Sequence, residues 1–597
     1  MQLPILLLTL AMGNLAVVRG PVNGVLIHSG SRTLAIYGDP TGHAKNVDKV
    51  LFTHLRRDVA WAGTGLVANG AEAIHPAQEE TKFIQFHDYF GQSSKVPVAP
   101  LGGRTVQGGD RIEWNGFVIE VLDTPGYSRS AVSYLFTADG KRIACTGDLI
   151  YGDGRILDLF SLQDAIPETK EDGYHGYAAR AAQVIASLRK IAEAKPDLLI
   201  PARGPVIHNP QAAIAQLIAR LEEVFASHFA IDALRWYRGD EKLQVQASRI
   251  LGNLPVEWMP MAETKEPPEW IRVINNARVI VSGSGAAFLI DCGSRRILDE
   301  VKNKFPKVEG IWVTHYHDDH TNLVQTASEE LKAPVFATGE LRDILEHPAA
   351  YRMPCLTPNA IRQVQVVPEG GTRRWHEFEF RYFYFPGQTI YHDGLLIKRD
   401  GGESVFFVGD SFTPSGMDDY CVLNRNLVEP APGYADCLRL VDRLKPDWLI
   451  NQHVNPMFHF SGAQTATMLA NWQQRRTRLA ALFPWDDPNF GIDEQWARLY
   501  PYRSEARAGE RVNLKVLILN HSAVARRFRV TPHVPSGWTA PASVQATIGP
   551  RKSFEIAIPV TAGDGPQNGN PAIITADIAF GQWDLREWME AWVEMKP

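Results

Sequence analysis

The stretch "WVTHYHDDHTN", residues 312–322, places three histidines and two aspartates within six positions directly after an apolar run. His315 and His317 are two residues apart, so both imidazoles point the same way from an extended segment. Asp319 and His320 then face a neighbouring point. Two clusters of nitrogen and oxygen donors this close together suit a pair of divalent ions such as Zn²⁺. A solvated polar turn is the alternative, and it does not account for so many ligand-type residues after a buried strand.

HxHxDH after a strand resembles the signature of the metallo-β-lactamase superfamily of hydrolases. The resemblance continues downstream in order, through "PGQT" at 386–389, "VGD" at 408–410 and "NQH" at 451–453. It implies that Asp410 is the carboxylate bridging two metal ions and that His453 is the last ligand. It covers residues 265–495 well and 14–260 weakly. The fold that it implies is a four-layer αββα sandwich with a dinuclear metal site at the sheet edge.

One residue departs from the family pattern. Gln388 stands where the family has a metal-binding histidine, and His392 follows four residues later. Three alternatives remain open: His392 binds the metal, Gln388 binds weakly through its carbonyl oxygen, or the second metal position is filled better than the first. Our predicted metal set includes the later histidine and comprises His315, His317, Asp319, His320, His392, Asp410 and His453. We expect two Zn²⁺ ions per chain, with iron or manganese as the other options.

The resemblance implies a metal-dependent hydrolase. Two adjacent ions lower the pKa of a bridging water molecule, and the resulting hydroxide attacks an ester, amide, lactone or phosphodiester-type bond. We assign catalytic roles to Asp319, which orients the nucleophile and passes on a proton, and to Asp410. Two alternatives are an iron-dependent oxidoreductase acting on sulfur compounds with the same fold, and a binding protein without catalysis. The sequence does not identify the substrate beyond a small molecule.

Two parts of the chain mirror each other. "VLFTHLRRD" at 50–58 resembles "IWVTHYHDD" at 311–319, and "KPDLLIPARGP" at 195–205 resembles "KPDWLINQHVNP" at 445–456. The distance from His54 to Tyr127 equals that from His315 to Gln388, at 73 positions. This spacing predicts a tandem duplication, with a degenerate metallo-β-lactamase-like domain at 14–260 and a catalytic one at 265–495.

The first copy lacks most of the ligand types. Arg56 and Arg203 stand where the second copy has His317 and His453, while Asp58 and Asp148 persist. Because arginine is always charged and cannot bind a cation, we expect no dinuclear metal site in this copy. Our hypothesis is that the two arginines replace the metal charge and pair with the two aspartates; the alternative is that they point to solvent.

Short apolar stretches alternate with helical patterns through both copies, which predicts α/β domains with sheets flanked by helices. Beyond about residue 500 the pattern changes to short strands separated by Gly, Pro and Asn turns. This texture is typical of a small all-β sandwich, and residues 500–597 resemble the Ig-like modules appended to extracellular enzymes. The predicted architecture is therefore two αββα sandwiches followed by an accessory β-sandwich.

The length, composition and net charge of the whole chain exclude several classes of protein. The 597 residues, with 45% hydrophobic and 21% charged, indicate several globular domains, and a net charge of −6 gives no electrostatic footprint for nucleic acid. Residues 1–13 are apolar but too short to cross a bilayer. They indicate either a signal peptide, which predicts a periplasmic or secreted protein, or a buried first strand, which leaves the protein cytoplasmic. No feature fixes the oligomeric state.

Overall fold

The computed structural model describes residues 8–77, 101–163, 180–566 and 571–597. The chain divides into two compact units: unit 1 comprises Met1–Glu223, Arg478–Tyr500 and Ser504–Pro597, and unit 2 comprises Val224–Thr477 and Pro501–Arg503. The segment 224–260, which the repeat assigned to the first copy, thus groups with unit 2, and the C-terminal strands group with unit 1. The predicted boundaries, which rest on the repeat, stay a prediction.

Unit 1 contains two large sheets. The first has its strands in chain order: β1 (Leu8–Met12), β2 (Leu15–Val18), β3 (Gly24–Ser29), β4 (Arg32–Ile36), β5 (Val47–Leu51), β6 (Glu72–Pro76) and β7 (Arg104–Val106). The second is likewise sequential: β8 (Arg111–Trp114), β9 (Phe117–Asp123), β10 (Val132–Ala138), β11 (Lys141–Cys145) and β12 (Leu198–Ile200). One apolar core with residues from both sheets joins them. The accompanying helices are α1 (Arg57–Ala68), α2 (Ala181–Glu193) and α3 (Pro210–Phe229), the last of which continues into unit 2.

The N-terminal apolar stretch is partly described. β1 pairs antiparallel with β2, with Met12 opposite Leu15. This is the arrangement of the first-strand interpretation, whereas residues 1–7 of the predicted signal segment lie outside the described residues. Among those described, no helix has the length and apolar character needed to cross a membrane.

Unit 2 begins with α4 (Leu234–Arg238) and α5 (Asp240–Leu251) and also contains two large sheets. One has the order β14 (Ile271–Ile274), β15 (Ala277–Val281), β16 (Ala287–Ile290), β17 (Val308–Trp312), β18 (Val335–Ala337) and β19 (Gln365–Val366). The other has the order β13 (Glu263–Lys265), β27 (Met457–His459), β26 (Trp448–Ile450), β23 (Ser404–Phe407), β22 (Asp393–Arg399), β21 (Phe378–Tyr384) and β20 (Thr372–Trp375). A hairpin of β24 (Phe412–Thr413) and β25 (Gly416–Met417) follows β23.

Helices of unit 2 lie between these strands along the chain: α6 (Arg295–Lys304), α7 (Asp318–Thr321), α8 (Val324–Leu331), α9 (Gly339–Glu346), α10 (Tyr434–Leu444) and α11 (Gly462–Leu482), which runs into unit 1. The two sheets share a core in which Phe288 contacts Trp375 and Phe380 ring to ring. Alternate residues of β21 point into this core, as expected for a strand with one buried face. The sequential order of sheet strands resembles that of unit 1, as the repeat predicts, although the duplication itself stays a prediction.

The C-terminal strands form two smaller antiparallel sheets within unit 1, preceded by α12 (Asn489–Ile492). One contains β28 (Ala497–Tyr500), β30 (Arg511–Leu519) and β33 (Ser553–Thr561). The other has the order β29 (Arg503–Ala506), β35 (Trp583–Met595), β34 (Ala572–Phe580), β31 (Arg526–His533) and β32 (Val544–Ile548). The described residues beyond 500 form strands and no helices, as the sequence predicts. The more specific Ig-like assignment stays a prediction.

Candidate metal centre

The predicted ligands of unit 2 come from strand ends that meet at one edge. β16 and β17 run parallel, as do β23 and β26, so within each sheet the carboxyl ends of the paired strands lie together. The histidine motif follows β17, Asp410 follows β23 and His453 follows β26. The fold therefore brings residues separated by over a hundred positions to a single site.

One group of four side chains converges closely, and we name it the downstream donor set: Asp319, His320, Asp410 and His453. His453 Nε2 lies 3.0 Å from Asp319 Oδ2 and 3.3 Å from Asp410 Oδ2. His320 Nε2 lies 3.2 Å from Asp410 Oδ2 and 3.2 Å from His453 Nε2. Two imidazoles and two carboxylates around one point match the number and type of donors that a tetrahedral zinc site uses.

The remaining predicted histidines lie beside this set. The ring centroid of His315 is 4.3 Å from that of His320, 4.5 Å from that of His317 and 4.9 Å from that of His392. Among the described residues, two groups of three His, Cys, Asp or Glu donors have atoms within 4.8 Å of one another: His315 with His320 and Asp410, and Asp319 with His320 and His453. His317 and His392 adjoin the site but belong to neither group.

The electrostatics of the site favour a cation. Burial and the neighbouring histidines hold the pKa of His315 well below its ordinary value, and burial lowers the pKa of His317 to about 4, so both rings are neutral and can offer lone pairs. Burial acts in the same direction on His453, but the carboxylates of Asp410 and Asp319 outweigh it and raise the pKa to about 9. Among the described residues, His315 Nε2 and Asp410 Oδ1 are buried without a hydrogen-bond partner. These atoms have the geometry and charge that divalent-ion ligands require.

A close backbone approach fixes the position of Asp410, the predicted bridging carboxylate. Gly409, with φ of 51°, precedes Asp410, and a side chain there would meet His392 Nε2 at 2.4 Å. Only glycine fits this left-handed, crowded position. The "VGD" motif therefore serves packing as well as chemistry.

Sequence reasoning missed Asp291, which directly follows β16 and is buried. Its carboxylate accepts hydrogen bonds from Thr314 N at 2.8 Å and Thr314 Oγ1 at 2.7 Å, which fixes the start of the histidine motif. It also contacts His320 Nδ1 at 3.0 Å, which leaves Nε2 facing the downstream donor set. A carboxylate behind a ligating imidazole fixes its tautomer and strengthens it as a ligand. The same strand-end position that marked Asp410 could have indicated this residue.

We expect the Asp291→Asn variant to bind Zn²⁺ roughly 10–100-fold more weakly than the wild type, because the charge behind His320 is lost while the side-chain shape remains. Competition with a chromogenic chelator measures this affinity. Asp299→Asn, an exposed position on α6, is the matched control and should leave affinity unchanged. Equal affinities for Asp291→Asn and the wild type would show that the buried carboxylate serves packing alone.

Two further polar residues hold Asp319 and His453, the two predicted ligands that face solvent. Asn276 Nδ2 donates to Asp319 O at 2.8 Å and to Asp319 Oδ2 at 3.1 Å. Arg278 is fully buried and donates to Asn451 O and Val454 O, so it clamps the loop that carries His453. Residues of β15 and of the turn before it therefore fix the positions of Asp319 and His453.

The site opens where its side chains are exposed: 47% of Asp319 and 35% of His453 are accessible. By contrast, residues 411–428, which follow Asp410 along the chain, are buried throughout. Tyr237 is a second residue that sequence reasoning missed. It is 44% exposed, and burial of its hydroxyl together with the charge of Asp410 raises its pKa well above the ordinary value. Its segment is held by Trp236 N donating to Ser415 Oγ at 3.1 Å, which places α4 beside the hairpin that follows Asp410.

In unit 1, the positions that the sequence repeat matches to the predicted ligands hold arginine–aspartate pairs. Arg203 donates to Asp148 Oδ1 at 3.1 Å and to the Tyr127 hydroxyl at 2.6 Å, and it forms an ion pair with Asp58 at 3.1 Å. Arg56 pairs with Asp58 at 3.4 Å and covers the Tyr127 ring at 4.1 Å. Both arginines are buried, so the predicted pairing is confirmed and the solvent-facing alternative is wrong. Guanidinium groups here supply the positive charge that the aspartates require.

Part of the chain is similar to known proteins. The model of the metallo-beta-lactamase superfamily matches residues 270–453. An uncharacterized protein of Aquifex aeolicus (strain VF5) is 28% identical over 165 residues, which cover 26% of this chain and 74% of that protein. Among solved structures, the subclass B3 metallo-beta-lactamase BJP-1 of Bradyrhizobium japonicum is 17% identical with a TM-score of 0.27, over 35% of this chain and 93% of that one. ETHE1 from Myxococcus xanthus is 21% identical with a TM-score of 0.22, over 32% and 80%.

The fold and site of unit 2 define a protein of the metal-binding α/β class with paired sheets. Residues 270–453 form a metallo-β-lactamase superfamily domain. The matched range begins at β14 and ends on His453, so it contains every predicted ligand.

Proposed function

We propose that unit 2 is a metal-dependent hydrolase that cleaves an ester, amide, lactone or phosphodiester-type bond in a small molecule. The observation that carries the proposal is the downstream donor set, in which two imidazoles and two carboxylates converge beside an opening to solvent. Zn²⁺ is the resident ion that we infer, because nitrogen donors and carboxylates are its preferred mixture of ligands.

The bound cation would act as a Lewis acid, lowering the pKa of a water molecule and neutralising charge that develops on the substrate. Asp410 would hold the cation and join the two sides of the site, since its Oδ2 lies within 3.3 Å of His320 and His453 and 3.8 Å from His315. Asp319 is the exposed carboxylate of the set, so it can orient the attacking water and carry its proton to the leaving group. Although burial raises its pKa, His320 and His453 hold it well below the ordinary range, so the group is ionised at neutral pH and can accept a hydrogen bond from that water.

The test is elemental analysis of the purified full-length protein, followed by a panel of generic esters, lactones, amides and phosphodiesters. We expect zinc to co-purify and at least one bond class to be hydrolysed. Treatment with a strong chelator should abolish the activity and added Zn²⁺ should restore it. Bound iron and a coloured protein would favour the oxidoreductase alternative. Activity that survives complete removal of the metal would overturn the proposal.

A further inference from the structure

The two sides of the metal centre are built unequally. The downstream donor set has four ligand-type side chains in mutual contact, and all of them are imidazoles or carboxylates. The other side, which we name the upstream donor set, consists of His315, His317 and Gln388. It therefore has two imidazoles and a neutral amide in place of a third imidazole.

The two histidines of the upstream set are arranged to bind. His315 Nε2 is buried and has no hydrogen-bond partner in the part of the chain that the structure describes. His317 Nε2 lies 3.3 Å from Asn424 Oδ1, which can only accept a hydrogen bond. The proton of the neutral ring is thereby placed on Nε2, which leaves the lone pair on Nδ1.

The amide of Gln388 is held in one orientation. Its Nε2 donates to Asp418 Oδ2 at 3.2 Å, and its backbone is fixed by Ser411 Oγ and by Asn426. This hydrogen bond to the buried carboxyl group of Asp418 turns the amide nitrogen toward it and the carbonyl oxygen away from it. Gln388 Oε1 is buried and has no hydrogen-bond partner among the described residues. A bound cation could satisfy such an acceptor, and Ser411 Oγ, which accepts from Gln388 N, also lies 3.3 Å from His392 Nε2.

His392 has a supporting position instead. Its ring stacks on that of His315, with an interplanar angle of 17°. Its Nε2 lies 3.3 Å from Ser411 Oγ and adjoins Gly409. Nδ1 of His392, like Gln388 Oε1, is buried without a hydrogen-bond partner among the described residues, so the two candidates differ in what holds them. The stacking on His315 and the contact with Ser411 suit a residue that fixes the orientation of His315, whereas Asp418 turns the carbonyl oxygen of Gln388 away from itself.

We propose that the centre has two unequal metal positions: a tight one in the downstream donor set, and a weak one whose third protein ligand is Gln388 Oε1, oriented by Asp418. The inference rests on the proposed function only in requiring a metal centre. A neutral amide oxygen attracts a borderline cation less strongly than an imidazole does, so the upstream position should fill last.

The test is Zn²⁺ titration of chelator-treated full-length protein against a chromogenic chelator, with metal stoichiometry as the readout. The wild type should bind one ion tightly and a second at least roughly tenfold more weakly. Gln388→His should bring the second affinity toward the first, and Gln388→Ala should remove the second step while keeping the first. His392→Ala should retain both steps.

Two ions bound in one equal step by the wild type would overturn the inference, as would loss of the second step in His392→Ala but not in Gln388→Ala. If His392→Ala fails to fold, the opposite effects expected for the two Gln388 variants still test whether Gln388 is the third ligand. The outcome is separable from that of the proposed function. Unequal binding without hydrolysis supports the inference and refutes the hydrolase, and equal binding with hydrolysis does the reverse.

Discussion

Replacing Asp410 with asparagine is expected to lower kcat/KM by more than about 100-fold. Mutation of a residue that merely supports a metal ligand already lowers metal affinity or activity about 10–100-fold, and Asp410 is itself a proposed ligand. Asp410 Oδ2 lies within 3.3 Å of His320 and His453 and 3.8 Å from His315. Its carboxylate therefore joins the upstream and downstream sides of the centre. Asparagine keeps the shape but removes the negative charge that attracts the cation.

Two measurements make this prediction specific. Metal content should fall together with kcat/KM, while the far-UV circular dichroism spectrum stays that of the wild type. Asp442→Asn, an exposed aspartate on α10 of the same unit, should change neither quantity. Wild-type turnover by Asp410→Asn with its full complement of metal would show that this carboxylate is not part of the reaction site.

The motif in unit 2 could be predicted from the sequence because its ligand types are concentrated at the ends of apolar runs. An apolar run predicts a strand, and the polar residues that follow it must lie at a sheet edge. This reasoning placed His315, Asp410 and His453 at one edge, and the structure brings them together there. It did not point to Tyr237, because nothing in the sequence marks a helix residue outside the matched region whose pKa is raised by burial and by the charge of Asp410.

The choice between Gln388 and His392 shows a second limit. Both follow the same strand closely enough to face the site, and residue type alone favours the imidazole. The orientation of each side chain depends on distant partners, namely Asp418 for the amide and Ser411 for the imidazole. Such partners become visible only when the fold brings them together.

The arginines of unit 1 were predictable for a different reason. Aligning the repeat placed Arg56 and Arg203 at ligand positions next to Asp58 and Asp148. A buried carboxylate needs a positive partner, and an arginine at each of these positions can supply the charge. Burial lowers the pKa of Arg203, but Asp148 and Tyr127 outweigh that effect and raise it well above the ordinary value, so the replacement charge is permanent.

We therefore expect Arg203→Met to destabilise unit 1 by about 3–5 kcal/mol, since it leaves the buried carboxylate of Asp148 without its cation. The side chain of Asp148 is only 3% exposed, so water cannot compensate. Hydrogen exchange measured by mass spectrometry on peptides covering β11 and β12 should report the loss as faster exchange. The zinc content per chain should not change, because all the proposed ligands belong to unit 2.

A second substitution separates lost charge pairing from lost packing. Adding Asp148→Asn to Arg203→Met removes the unpaired charge, so the double variant should recover part of the protection. Arg189→Met, at an exposed position of α2, is the matched control and should exchange like the wild type. If the double variant were as unstable as the sum of the two single variants, the guanidinium would be contributing its volume rather than its charge, and the idea that it replaces a metal ion would fail.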